Sequence, residues 1–461
     1  MLIPLFGKSI LSKSANVTAQ SRVNLYVEIP ADQDRSPIIL YPTPGLTLFA
    51  DLTGNPIRGM YSRGTSLFVV QQAALFEIST SGVATNRGTI GSNTGRVCMT
   101  DNGTQLFFVD GQKAYTYTYA TTTLAEVSDA EFPDGATTCT DLDGYFIVEE
   151  NGTQRFYISA VDDGTSWDAL EFDTADQNPD DIVRVFGDHG ELLVFGDAST
   201  EFWASSGATD FPFSRLTSIE TGLAAKWSVA KFETSVMFLA KNRLGNVQVV
   251  LLNGYTPMPV STPDLDTLLN QYETTNDAVA FSYRENGHTF YQLTFPAEEK
   301  SWLYDGTSGT WSELQSDGTR HIADIGEHFN GKTYVSDHES ARVYLLDPNT
   351  YTENGTGITR QFVGRHVFKE DRQSINSFWL DMETGVGLAT GQGSDPQAVL
   401  RYSTDGGHSW SNELLAPIGK VGEYDTRVIW HRLGRARDFT FEVTVTDPVK
   451  TVFVNGFIKT S

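Results

Sequence analysis

The sequence predicts an all-β chain: a β-propeller of six or seven blades carrying a C-terminal, β-sandwich-like platform domain. Three observations lead there. A module of about forty residues recurs at least six times between Ile57 and Tyr351. Every copy is punctuated by Gly, Asn and Asp turns. The pattern then stops near Asn354 to Gly357, in a polar, glycine-containing stretch that suits a domain boundary.

Each module opens with a short apolar strand and continues through a strongly hydrophobic one. The hydrophobic strands are Leu67–Val70, Leu106–Val109, Tyr145–Val148, Leu192–Phe195, Val236–Leu239 and Thr289–Gln292. A more aromatic, alternating strand follows, as in Ala114–Tyr119, Glu201–Trp203 and Ser301–Tyr304. A seventh, plainer copy lies in Lys332–Val335 and Arg342–Leu346. A single four-stranded sheet leaves both faces bare, so such sheets stack radially and each covers its neighbour. The apolar strand is then buried on both faces, and the alternating strand is expected at the outer edge. A terminal strand that closes the ring decides between six blades and seven.

Residues 45–359 are therefore expected to form the propeller, and residues 360–461 the platform. Strands are read there at Phe378–Leu380, Val399–Tyr402, Val428–Trp430, Phe439–Val443 and Thr451–Val454. Residues 1–44 lack the blade pattern and are expected to join the platform. One helix is predicted, with Thr262 as its N-cap, Pro263 in the first turn and Leu265, Leu268 and Leu269 on one face, packed beneath the blades or between subunits.

Charge is unevenly spread. The chain carries −25 overall; residues 360–461 hold twelve basic and twelve acidic side chains, and residues 1–44 hold four and three. That leaves 17 basic and 43 acidic residues for 45–359, a net of −26. The excess acid either keeps a large surface soluble or repels a polyanion while the neutral ends make contacts. It argues against simple binding of a phosphate backbone, which needs clustered Lys and Arg. No apolar run approaches the roughly twenty residues of a membrane helix. Leu2–Phe6, interrupted by Pro4, is too short for a secretion signal, so synthesis and folding in cytoplasm are expected. Cys98 and Cys139 occupy equivalent first-strand positions in consecutive modules and are expected to stay as free thiols near the propeller axis.

The chain shows no phosphate-binding loop, no nucleophile elbow and no His-Glu-x-x-His, so neither catalysis nor a cofactor is expected. His321 and His328 serve equally well as surface residues or ligands. Asp173, Asp176, Asp180 and Asp181 read as a solvated acidic loop before a calcium site, because their spacing matches no EF-hand. Asn102-Gly103-Thr104, Asn151-Gly152-Thr153 and Asn354-Gly355-Thr356 read as hairpin turns before glycosylation acceptors. Ser403–Trp410 resembles the Asp-box hairpin of sialidases, an architectural motif whose aspartate bonds turn amides. It keeps a glycan-binding or glycan-cleaving propeller as the alternative function.

Val23–Tyr26, Pro44–Leu46, Phe195–Trp203 with Gly207-Ala208, and above all Arg427–Arg437 stand in the order in which the phage stabilisation protein family carries similar stretches. In them the chain resembles that family, the tail hub or nozzle proteins of short-tailed phages. The resemblance implies a structural virion protein, made in the host cytoplasm, that forms a homo-hexameric ring below the head-to-tail adaptor. Such a ring retains packaged DNA and forms the channel for its ejection, without sequence-specific binding and without a membrane. It also implies contact with a tail needle or plug and with tailspikes or tail fibres, and no enzyme activity. Arg427, His431, Arg432, Arg435 and Arg437 are the candidate interface residues, either docking to the adaptor or bonding neighbouring carboxylates in a strand.

Overall fold

The computed structural model describes residues 2–3, 5–7, 14, 18–31, 36–208 and 211–460; Pro4 lies outside them. Seven sheets of antiparallel strands close a ring. Blade one comprises Ile57–Arg63, Ser66–Gln71, Ala74–Ser79 and Ala84–Thr89. Blades two to four start at the inner strands Cys98–Asp101, Cys139–Leu142 and Ile182–Asp188. Blade five starts from Ala230–Phe232 and Gly222–Leu223, both paired with Ser235–Lys241. Blade six runs from Val279–Glu285 to Thr310–Ser316. Blade seven takes Ala323–Phe329, Lys332–Asp337 and Arg342–Asp347 from one end of the propeller sequence and Gly45–Asp51 from the other, with Leu346 opposite Leu46. That strand settles the blade count at seven.

The second strands are buried on both faces as expected, Phe107, Phe146 and Phe238 being fully covered between blades. The aromatic strands are third in each blade, and the expectation that they form the outer edge is wrong. Tyr115 and Tyr117 are buried, and a fourth, polar strand such as Ala84–Thr89 or Thr123–Glu126 lies outside them. Hairpin turns carry the positive φ that only a short list of residues accepts, as at Asn354-Gly355 (φ 47° and 94°) and Asn330-Gly331 (φ 49° and 75°). The short helix Pro263–Leu269 is capped by the Thr262 hydroxyl, which accepts from the Leu265 amide at 3.3 Å. Its Leu265 and Leu269 fill the core between blades five and six, against Met237, Leu239, Tyr291 and Leu293. No helix is long and apolar enough to cross a membrane among the described residues.

The C-terminal domain is two sheets over one core. Val367–Met382 pairs with Phe453–Thr460 and Val428–His431; Arg360–Val363, Gln397–Ser403 and Leu414–Pro417 belong to the second sheet. Arg435–Val445 crosses from one to the other. Phe378 is stacked between Trp430 at 5.6 Å and Phe441 at 4.4 Å. Leu2–Ile3 pairs with Phe457 and Gly456, and Ile39–Pro42 joins the same sheet.

A seam joins the two regions. Ser21–Val23 pairs antiparallel with Val363–Gln361 on one side and parallel with Glu313 of blade six on the other, making one continuous sheet. Its flanking side chains clamp the join: Arg22 donates to the Trp311 carbonyl at 2.8 Å, and the Asn24 amide donates to Gln315 and Thr359 carbonyls, each at 2.9 Å. Nearby, His288 of blade six sits between Asp305 (2.9 Å) and Glu28 (2.8 Å) of the N-terminal hairpin. Burial lowers the imidazole pKa, but the hydrogen bonds and charges of the two carboxylates outweigh it, and the net shift is upward. A raised folded value means the tie is fully present below the unfolded value of about 6.5 and is lost as pH rises through the folded value. Thermal melts across that range should show a stability loss on the alkaline side that His288→Gln lacks; identical profiles would remove this tie.

Candidate assembly interface

Residues 428–439 run antiparallel to the long strand Val367–Met382, kinked at Arg432 and Gly434, before the chain crosses to the second sheet. Val428, Trp430, Leu433, Ala436 and Phe439 point into the core. Arg427, His431, Arg432, Arg435 and Arg437 are all exposed. The alternation of a strand therefore sorts apolar from basic side chains, and the kink re-aims the row without burying it. Arg432 holds φ 62°, and its main-chain N–H donates to the Asn376 carbonyl at 2.8 Å. Arg435 Nε donates to the Arg372 carbonyl at 3.3 Å. Arg427 lies 4.8 Å from the centre of the Trp379 ring.

None of the five enters an ion pair among the described residues. Carboxylates of the same domain pair elsewhere: Glu442 with Arg401 at 2.6 Å, Glu383 with Lys450 at 2.9 Å, and Asp438 with His366 at 3.0 Å. The reading in which these arginines bond neighbouring carboxylates is thus not what the fold builds. Phe368, 69% exposed, stands on the facing strand beside a four-residue bulge at 369–372. Sequence reading missed it, since an isolated Phe in a strand gives no sign of which face it takes.

Other candidates resolve into architecture. Asp180 accepts from the Ala198 and Ser199 amides at 2.7 and 3.0 Å, Asp176 pairs with Arg215 at 2.9 Å, and Asp173 accepts from the Thr174 amide. No group of three metal-ligating residues occurs among the described residues. His321 is buried ahead of the inner strand of blade seven and its Nε2 lies 3.6 Å from Glu353, whereas His328 is exposed at the far end of that strand, so the two share no site. Asp405 caps its hairpin, accepting from the His408 and Ser409 amides at 3.1 and 2.9 Å and from the Ser403 hydroxyl at 2.7 Å. The Ser409 hydroxyl, which also donates to it, and then these amides and the Ser403 hydroxyl hold the carboxyl well below the usual carboxylate range.

Cys98 and Cys139 face each other from the inner strands of blades two and three, both buried and not bonded together. Each thiol donates to the other residue's carbonyl, at 3.4 and 3.3 Å. The hydrogen bond from Cys139 lowers the Cys98 thiol pKa against the penalty of burial, while burial raises that of Cys139. Thiol titration of the denatured chain should therefore find two free thiols, and a disulfide between them would contradict this.

Two family models span the chain. One, described as bacteriophage P22 Gp10, beta-propeller, matches residues 1–351, and the other, bacteriophage P22 Gp10, beta-sandwich, matches residues 359–461. The tail hub protein gp10 of Salmonella phage P22 is 23% identical over 433 residues, covering 88% of each chain. Among solved structures, the Neurospora crassa Pan2 WD40 domain aligns with a TM-score of 0.44 at 7% identity, over 66% of this chain and 95% of that one. The WD40 β-propeller domain of Doa1 gives 0.43 at 12% identity, over 65% and 97%.

Proposed function

The chain belongs to the bacteriophage P22 Gp10 family, tail hubs of short-tailed phages, and from that premise we propose that six copies form a ring below the head-to-tail adaptor. The ring holds packaged DNA in place and becomes its exit channel, and the chain has no catalytic part in either step. The row of unpaired basic side chains on the C-terminal domain carries this reading. It is a surface whose charge has no ion-pair partner among the described residues, on a domain whose charges balance only when this row is counted, joined to a propeller of net −26. That row docks on the adaptor, while acidic propeller surface facing the lumen keeps DNA from sticking during ejection. A tail needle or plug and tailspikes or fibres are its further partners.

Mutual repulsion of the propellers opposes ring formation without a template. The isolated chain is expected to sediment as a monomer or weak oligomer at low salt, to associate more as salt screens the charge, and to form rings on adaptor-bearing heads. Rings that form equally well from the chain alone at low salt would overturn the electrostatic part of this reading.

A further inference from the structure

The propeller axis holds a cavity of about 490 Å³, bounded by the inner strands of six of the seven blades. Its charge departs from its surroundings. The propeller has 43 acidic residues and 17 basic ones, yet Arg96, Arg184 and Lys231 line this space against one carboxylate, Glu327. Glu327 accepts from the Ser62 amide at 3.1 Å and its hydroxyl at 2.9 Å, and burial pushes its pKa up to about 7, so its charge is partly suppressed at neutral pH.

The two arginines are fixed in place before anything binds. Arg96 follows a loop pinned by Arg58, whose guanidinium donates to the Gly95 carbonyl at 2.7 Å, the Thr94 carbonyl at 2.6 Å and the Ser92 carbonyl at 3.0 Å. Arg184 is held by the Lys226 carbonyl at 2.8 Å. Both guanidinium groups lie over the Trp227 ring, at 5.4 and 5.3 Å from its centre. Arg96 is answered by Asp324 at 3.1 Å. Arg184 has no carboxylate partner among the described residues, and its buried Nε has no hydrogen-bond acceptor. A buried guanidinium donor without an acceptor costs free energy that a bound oxyanion would recover. Met60, Val229 and Phe281 add apolar wall beside the polar groups of Tyr61, Ser282 and His328, and small-ligand sites likewise combine apolar lining with placed polar groups.

We propose that the axial cavity is an oxyanion site, in which Arg184 and Arg96 beside Trp227 receive a carboxylate or phosphate group. The guanidinium forks match either group in a bidentate fashion. Lys231, more exposed than either arginine and 3.7 Å from Asp188, stands where it attracts an anion toward them. The group reaches the site either as a free phosphate compound or as an acidic side chain of an inserted chain segment.

Titration calorimetry of the full chain at low ionic strength separates these sources, using inorganic phosphate in one arm and an end-blocked peptide of alternating glutamate and glycine in the other. Binding of either probe is expected, and it should weaken about tenfold or more in Arg184→Gln. Arg96→Gln, at a partly exposed position, should weaken it too and serves if Arg184→Gln does not fold. Lys113→Gln, on the outer surface, should leave binding unchanged. Bound phosphate should also slow alkylation of Cys98, which lines the same space. Binding of phosphate alone points to the free compound, and binding of the peptide to an inserted segment. Failure of both probes, or affinity unchanged in Arg96→Gln, would overturn the site while leaving the tail-hub reading intact.

Discussion

Replacing Arg432 and Arg435 together by Glu is expected to abolish incorporation of the chain into particles while leaving it folded. Both side chains are exposed and enter no ion pair among the described residues, so the reversal breaks none there. The Arg432 contact to Asn376 runs through its main chain and survives; the single side-chain bond lost is the 3.3 Å contact of Arg435 to the Arg372 carbonyl. Exposed substitutions of this kind shift stability by roughly half a kcal/mol. At a docked surface the same change sets two negative charges against an acidic partner and costs about 2–5 kcal/mol for each buried pair broken. Circular dichroism checks the fold, and sedimentation with adaptor-bearing heads checks docking. A folded double variant that docks with normal affinity would take these arginines out of the interface. Neutralising acidic propeller residues should instead leave assembly intact and slow DNA release.

The second large effect concerns ring closure. Leu46 is 1% exposed in the strand that completes blade seven, packed with Tyr26, Phe281, Val335 and Tyr344. Leu46→Asp places an unpaired carboxylate in that core and forfeits the burial of the leucine, a loss of about 4 kcal/mol or more. Because the strand joins two distant parts of the chain, the damage should spread to blades one and six, which pack on either side. Denaturant unfolding should show a lowered midpoint, and Leu46→Ala an intermediate one. An unchanged midpoint in Leu46→Asp would mean that the ring is held shut without this strand.

The blades were legible in the sequence because the second and third strands are covered on both sides, which forces runs such as Leu106–Val109. The fourth strands were not. Ala84–Thr89 and Thr123–Glu126 face water, so nothing constrains their residues to a period that a reader can detect. Gly45–Asp51 and Ser21–Val23 have partners far away in the chain, such as Asp347 for Gly45 and Val363 for Ser21, and no local pattern announces such pairing. The interface row was visible as residues, since Arg427–Arg437 alternates basic with apolar side chains. Whether those arginines had carboxylate partners depended on the ribbon they form. Arg96 and Arg184 gave no signal, because only the closure of the ring brings blades two and four to one axis.

The seam at Ser21–Val23 bears on how the proposed ring would carry mechanical load. A propeller tethered by a flexible linker would swing independently under internal pressure, and force on the C-terminal domain would stop at the tether. Here the strand continues one sheet across the join, and Arg22 and Asn24 lock both borders with bonds to main-chain carbonyls. A thrust on one region passes into the other through many hydrogen bonds that must stretch together, so each subunit acts as a stiff strut. In the proposed ring, pressure would then be borne as compression between subunits, with yielding confined to the contacts that separate one copy from the next.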